Sequence, residues 1–141
     1  MLKNWKSILS YGTLLWILIF MEVSIIMFIP GLSVLTQNIF HLVILPLLAL
    51  FCFVKYFKST TASAKTGFLA GIYFLIIGTV LDLIITIPLF VKDYALFYSS
   101  WWLWAGYLEV MIIGTLAGNL KSKPKMKNPG KASLKSTKGK K

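Results

Sequence analysis

Four ionisable side chains lie within long apolar stretches of this chain: Glu22, His41, Asp82 and Glu109. A charge at the centre of a bilayer costs about 2.5–3.5 kcal/mol, so such residues usually face protein or water and often mark functional sites. Carboxylates and an imidazole at one depth can pass protons or bind a cation. Each carboxyl can instead stay neutral and hydrogen-bond a neighbouring helix as a structural contact.

The four residues share a similar depth if their stretches are helices. Counted at 1.5 Å per residue from the nearest lysine outside each stretch, they lie between ~18 and ~25 Å into the membrane. The hydrocarbon core is about 30 Å thick, which places all four in its central-to-outer part. Whether the side chains meet depends on the rotation of each helix, which the sequence leaves open.

Four apolar stretches must position these groups. The chain has 141 residues, of which 57% are hydrophobic and 13% charged, too few charges for a soluble domain. The stretches cover about 7–29, 34–54, 67–90 and 97–120, close to the ~20 residues with which a helix crosses a bilayer. They are too long and too uniformly apolar for barrel strands. The sequence predicts an all-α fold, an integral membrane four-helix bundle that forms one domain over residues 1–120.

Lysines predict the orientation of the bundle. Every lysine except Lys92 precedes the first stretch, separates the second from the third, or follows the last, and Lys92 stands beside Asp93. The positive-inside rule therefore predicts that both termini are cytoplasmic.

A lysine-rich segment, Lys121–Lys141, follows the last stretch. It contains nine lysines and no acid, so we expect a disordered cytoplasmic tail that attracts anionic lipid headgroups. Its charge would also suit a nucleic acid. Because no aromatic residues alternate with the lysines and no RNA-binding motif occurs, we expect the lipid bilayer and no nucleic acid as the partner.

Glycines on the third and fourth stretches predict close helix packing, because small residues let two helix backbones approach each other. Two of the pairs form small-xxx-small motifs, and a further glycine lies four residues before Asp82 on the same stripe. The packing candidates are Gly67, Gly71, Gly78, Gly114 and Gly118.

Motifs typical of enzymes are missing from the sequence. It contains no arginine for a bidentate phosphate or carboxylate clamp, and no glycine-rich phosphate loop. His41 is the single histidine and Cys52 the single cysteine, which provides no zinc-binding cluster and no internal disulfide. We expect no enzyme activity, no metal and no cofactor.

Short motifs resemble a known family. The third stretch, Gly67–Phe90, begins with glycine and contains Asp82-Leu83 followed by Pro88-Leu89-Phe90, and the last stretch contains Tyr107-Leu108. In these features residues 8–120 resemble an uncharacterised family of small four-span membrane proteins of prokaryotes, a domain of unknown function. The resemblance implies a multi-pass protein of the prokaryotic plasma membrane and carries over no activity.

Two hypotheses of function follow from these observations. In the first, the bundle is a proton- or cation-coupled transporter or channel whose ion-binding groups are Asp82, Glu22, His41 and Glu109. Four helices scarcely enclose a pathway, so this hypothesis predicts a homodimer or larger assembly. In the second, the protein is a structural or assembly subunit of a larger membrane complex, and the glycines and buried acids are its contacts.

Overall fold

The computed structural model describes residues 5–122, which form helices joined by short connections and contain no strand. Four helices are long and apolar enough to cross a membrane. This confirms the expected all-α architecture. The elements are α1 (Trp5–Met27), α2 (Val34–Tyr56), α3 (Ala64–Leu81) continued by a π-helical segment (Asp82–Val91), the short α4 (Tyr94–Ser99), and α5 (Trp101–Ser122). The expected lysine-rich tail lies, beyond Ser122, outside the described residues.

Hydroxyl side chains cap the N-termini of two of the long helices. The Ser33 hydroxyl accepts the backbone N–H of Thr36 at 3.2 Å and caps α2. At α3, Ser63 and Thr66 form a reciprocal capping box, in which each side chain accepts the other residue's backbone N–H. Both arrangements satisfy backbone donors that the first helical turn leaves free.

The long helices form a four-sided bundle. Helix α1 packs against α2 and α3, and α5 packs against the same two helices, so α1 and α5 are diagonal to each other. One end of the bundle holds the connections 28–33 and 92–100, and we call it the distal end. The other end holds the described chain ends and the connection 57–63, and we call it the proximal end.

Aromatic rings fill the proximal half of the core. Phe53 of α2 is fully buried and stacks on Phe74 of α3, with ring centroids 4.8 Å apart. Tyr56 meets Phe74 edge to face at 5.8 Å and Tyr11 of α1 at 6.3 Å. These rings join three helices across the bundle, and we call the four residues the aromatic plug.

Glycines bring α3 and α5 into backbone contact. A Cβ atom on Gly67 would overlap the carbonyl oxygen of Gly114, and one on Gly118 would overlap the carbonyl oxygen of Ser63. A Cβ on Gly71 would lie 3.3 Å from the Cα of a residue on α5. Four of the five packing candidates therefore lie at this one interface. The fifth, Gly78, faces α1 instead.

The third apolar stretch is not a uniform α-helix. It changes to π-helical geometry at Asp82, and Pro88 lies inside the π-helical segment. An α-helix would set the ring of Pro88 against the carbonyl four residues earlier, and Pro88 has no N–H to donate. In the wider π turn, the backbone N–H groups of other residues donate to the carbonyl five residues back. The segment ends where the N–H of Lys92, at φ 61°, donates to the carbonyl of Ile87 at 2.7 Å.

The fourth apolar stretch is divided. Residues 94–99 form α4, capped by the Asp93 carboxylate, which accepts the N–H of Leu96 at 2.9 Å. Ser100 is extended, and α5 begins after it. The sequence pattern predicted one helix from residue 97, because the aromatic residues of α4 are as apolar as those of a membrane span.

Candidate functional site

A carboxylate and an imidazole meet inside the bundle. His41 Nδ1 lies 2.7 Å from Glu22 Oε2, a contact between α1 and α2. The two side chains retain only 11% and 9% of their accessible surface, so bulk solvent does not screen the pair. Glu22 stands five residues before the end of α1 and His41 seven residues after the start of α2, which places the pair in the distal half.

Helix α5 covers this pair with three residues spaced to share one face. The ring of Trp102 stands edge to face with the His41 ring, with centroids 6.0 Å apart. Four residues on, a Cβ on Gly106 would lie 4.0 Å from His41 Nε2 and 2.9 Å from a methyl carbon of Leu45. Glycine therefore lets α5 approach α2 at the level of the imidazole.

Glu109 is the third ionisable residue at this place. It lies three residues after Gly106, one helical turn further along the same face, and near His41. One oxygen of Glu109 and one of Glu22 are buried and accept no hydrogen bond from the described residues. We call Glu22, His41 and Glu109 the ionisable cluster.

Asp82 is held apart from this cluster by other partners. Its Oδ1 accepts the indole N–H of Trp16 on α1 at 2.9 Å and the hydroxyl of Thr86 at 2.7 Å. The indole ring of Trp16 packs against Gly78 on its way to Asp82: a Cβ on Gly78 would lie 3.9 Å from the ring. The acid thus joins α3 to α1 at the junction of α-helical and π-helical geometry.

Two tyrosines extend the surroundings of Asp82 toward α4 and α5. The hydroxyl of Tyr107 is 3.1 Å from that of Thr79, and Tyr107 and Tyr98 both lie near Asp82. The Tyr98 hydroxyl is buried and has no hydrogen-bond partner among the described residues. The four intramembrane ionisable residues therefore form two groups, the ionisable cluster and Asp82 with its hydroxyl and indole donors.

The ionisable cluster can hold a proton in more than one place. With one proton between them, Glu22 and His41 are either a neutral acid beside a neutral imidazole or a carboxylate beside an imidazolium, and the net charge is zero in both forms. The proton can move across 2.7 Å without changing the charge buried in the membrane. The unpartnered oxygens of Glu22 and Glu109 provide acceptors for a further proton or a cation.

Within residues 5–122, the acidic, histidine and cysteine side chains form no group of three with the geometry of a metal site.

Sequence reasoning assigned no binding role to the two tryptophans at these sites. Trp102 lies among several other aromatic residues, a pattern typical of the membrane interface. Trp16 belongs to an otherwise apolar stretch. The spacing of Trp102, Gly106 and Glu109, by four and three residues, is the signal that places Trp102 on the face of the acid.

Comparisons with protein-family models, with curated proteins and with solved structures found no match to this chain. The resemblance to the four-span family of unknown function therefore stays a prediction.

Proposed function

We propose that the protein is a proton- or cation-coupled transporter or channel, with the ionisable cluster as its ion-binding centre. The observation that carries the proposal is the 2.7 Å contact between Glu22 and His41 in the membrane-embedded interior. Ionisable side chains at this depth generally serve ion binding or proton relay.

Stability alone is a weak reason for such a pair. Desolvating an acid and an imidazole is costly, and apolar side chains of similar volume often pack in place of a buried ion pair without loss of stability. The surrounding core consists of such apolar side chains: Leu15, Leu45 and Val110 are buried among apolar neighbours. Exchange of a proton or a cation is a function that Glu22 and His41 can perform and that apolar residues cannot.

The aromatic plug favours a transporter over a permanently open channel. From His41 to Phe53 along α2 is twelve residues, roughly 18 Å, and the buried rings occupy the bundle at the level of Phe53. An ion held at the ionisable cluster would lie closer to the distal end than to the proximal end. Exchange with the proximal side then requires movement of the rings, which is the property of a gate.

Lysines support an arrangement with the proximal end in the cytoplasm of a prokaryotic cell. Lys6, Lys55, Lys58, Lys65 and Lys121 lie near the proximal end, whereas the distal connections carry Lys92 beside Asp93. Positive charge concentrates on the cytoplasmic side of membrane proteins. In this orientation the plasma membrane holds both termini inside, the tail Lys121–Lys141 contacts anionic headgroups, and the ionisable cluster opens toward the outer face. We propose a homodimer or larger assembly for the complete pathway.

Voltage-driven proton uptake tests this function. The purified full chain is reconstituted in liposomes that contain a pH-sensitive dye, and a potassium gradient with valinomycin makes the interior negative. We expect wild-type protein to acidify the interior and Glu22→Gln to slow acidification at least tenfold, because glutamine preserves the side-chain size but cannot exchange a proton. Asp82→Asn, measured in parallel, shows whether the second acid belongs to the same pathway.

Asp93→Asn is the matched control, since it removes one carboxylate charge from an exposed distal position and retains a capping side chain. It should keep the wild-type rate. A wild-type rate in Glu22→Gln would exclude the ionisable cluster from the pathway. If folded wild-type protein carries no current of protons or alkali cations, the buried acids are structural contacts. A stoichiometric unrelated partner in affinity purification would then assign the protein to a larger complex as a subunit.

A further inference from the structure

A groove of about 380 Å³ lies between α3 and α5 on the surface of the bundle. Small-molecule sites commonly have volumes of ~300–1,000 Å³ and apolar walls with a few polar groups. The walls of this groove include Leu75, Ile76 and Met111, and the polar groups in its lining are the hydroxyls of Thr79 and Tyr107. The groove thus offers an apolar bed with a hydrogen-bonded pair of hydroxyls.

Asp82 lies beside the distal end of this groove. It follows Thr79 by three residues, which is one helical turn on the same side of α3. The Thr79 hydroxyl in turn lies 3.1 Å from the hydroxyl of Tyr107, across the groove. Both hydrogen bonds to the carboxylate fall on Oδ1. Oδ2 accepts none from the described residues. One oxygen of the acid is therefore held by two donors, while the other has no hydrogen-bond partner among the described residues.

We propose that the groove and Asp82 bind a lipophilic organic cation, a protonated or quaternary amine with an apolar body. The apolar body lies along Leu75, Ile76 and Met111, and the cationic nitrogen lies against Asp82 with the ring of Tyr107 beside it. A carboxylate supplies the opposite charge, and a tyrosine ring attracts ammonium groups through its π face. This site is distinct from the ionisable cluster, and binding to it does not require proton transport.

The depth of Asp82 selects this ligand over the amine headgroup of a phospholipid. Asp82 lies nine residues before Val91, the last residue of the π-helical segment, at most about 14 Å from the distal end of the span. A phospholipid headgroup stays at the interface, whereas the apolar part of the groove continues from Asp82 further toward the membrane centre. A single amphiphile with its charge at Asp82 and its apolar body directed inward fits both features.

Nuclear magnetic resonance of the Trp16 indole provides the assay, because this N–H donates to Asp82 Oδ1 and reports on a charge placed beside the carboxylate. The full chain in lipid nanodiscs is titrated with benzyltrimethylammonium. Its uncharged carbon analogue, neopentylbenzene, has the same shape. The Trp16 signal among the five tryptophan indoles is identified from the spectrum of Trp16→Phe. We expect a saturable shift with the cation and neither a shift nor competition with the neutral analogue.

Two variants separate the contributions of the charge and the groove. Asp82→Asn removes the charge and retains an oxygen for the Trp16 indole, and we expect affinity to fall at least tenfold. Ile76→Trp fills the groove from a side chain that is 53% exposed, and a similar loss is expected. The matched controls are Asp93→Asn, which removes a charge elsewhere, and Val43→Trp on α2, a position 61% exposed outside the groove. Both should bind as wild type.

Three results would overturn the proposal: no saturable shift in folded wild-type protein, equal binding of neopentylbenzene, or wild-type affinity in Asp82→Asn and Ile76→Trp. If Asp82→Asn fails to fold, Ile76→Trp decides the question alone, since its side chain points away from the core. Loss of proton uptake in the liposome experiment with intact cation binding would refute the proposed transport and leave this site standing.

Discussion

The contact between α3 and α5 predicts a large difference between two identical substitutions. Gly67→Ala places a Cβ that would overlap the Gly114 carbonyl oxygen, 2.8 Å from the Gly114 carbonyl carbon and 3.2 Å from the Cα of Thr115. In Gly78→Ala the nearest atom is a ring carbon of Trp16 at 3.9 Å, an ordinary van der Waals contact. Both changes are on α3 and gain the same helix propensity from alanine.

The magnitude follows from the carbon–carbon distances. Non-bonded carbons rest about 3.5–4.0 Å apart, so alanine at residue 67 requires the two helix backbones to separate by roughly 1 Å. Overpacking of this kind costs about 1–3 kcal/mol, and here the obstacle is backbone, which cannot rotate aside as a side chain can. We expect Gly67→Ala to be about 1–3 kcal/mol less stable than Gly78→Ala, because the common propensity gain cancels in the comparison.

Unfolding in mixed micelles titrated with dodecyl sulfate, followed by circular dichroism, measures the two free energies of unfolding. Gly78→Ala should equal or slightly exceed wild type, since its Cβ would make only an ordinary van der Waals contact with the Trp16 ring at 3.9 Å. Equal stability of Gly67→Ala and Gly78→Ala would show that α3 and α5 do not pack through this glycine, and the backbone contact would then be wrong.

Three further predictions concern the polar contacts. Glu22→Gln and His41→Phe should each lower the free energy of unfolding in the same assay, and the double variant should lose about 1–2 kcal/mol less than the sum of the two single losses. Strict additivity would show that the two residues do not interact. Trp16→Phe should cost about 0.5–1.5 kcal/mol through the lost hydrogen bond to Asp82, whereas wild-type stability would contradict that bond. Ser63→Ala should cost about 1 kcal/mol, and amide exchange should accelerate in the first turn of α3 alone; unchanged exchange there would contradict the capping box.

The four spanning helices could be predicted from the sequence because their length and apolar composition leave few other structures in a bilayer. The glycines of α3 and α5 also carried a local signal. Gly67 and Gly114 begin motifs that favour close packing, and the structure places them against each other.

The pairing of ionisable residues could not be predicted, because it depends on how each helix is rotated about its axis. Lipid and protein core are both apolar, so the hydrophobic pattern that orients a helix in a soluble protein is nearly absent here. Depth alone suggested a common layer of four groups. In the structure, the rotation of the helices places Glu22 against His41. It places Asp82 against Trp16, which lies in an otherwise apolar stretch of the sequence. The π-helical segment was equally hidden, since Pro88 is compatible with a kink, a break or a π turn.

Nitrogen magnetic resonance of His41 tests the central claim most directly. Because His41 is the single histidine, ¹⁵N-histidine labelling of the full chain gives signals from this residue alone. In proteoliposomes, we predict that the Nδ1 signal shows a shared, hydrogen-bonded proton, changes on acidification, and moves in Glu22→Gln. Identical Nδ1 signals in wild type and Glu22→Gln, unaffected by acidification, would show that Glu22 and His41 share no proton and would contradict the account.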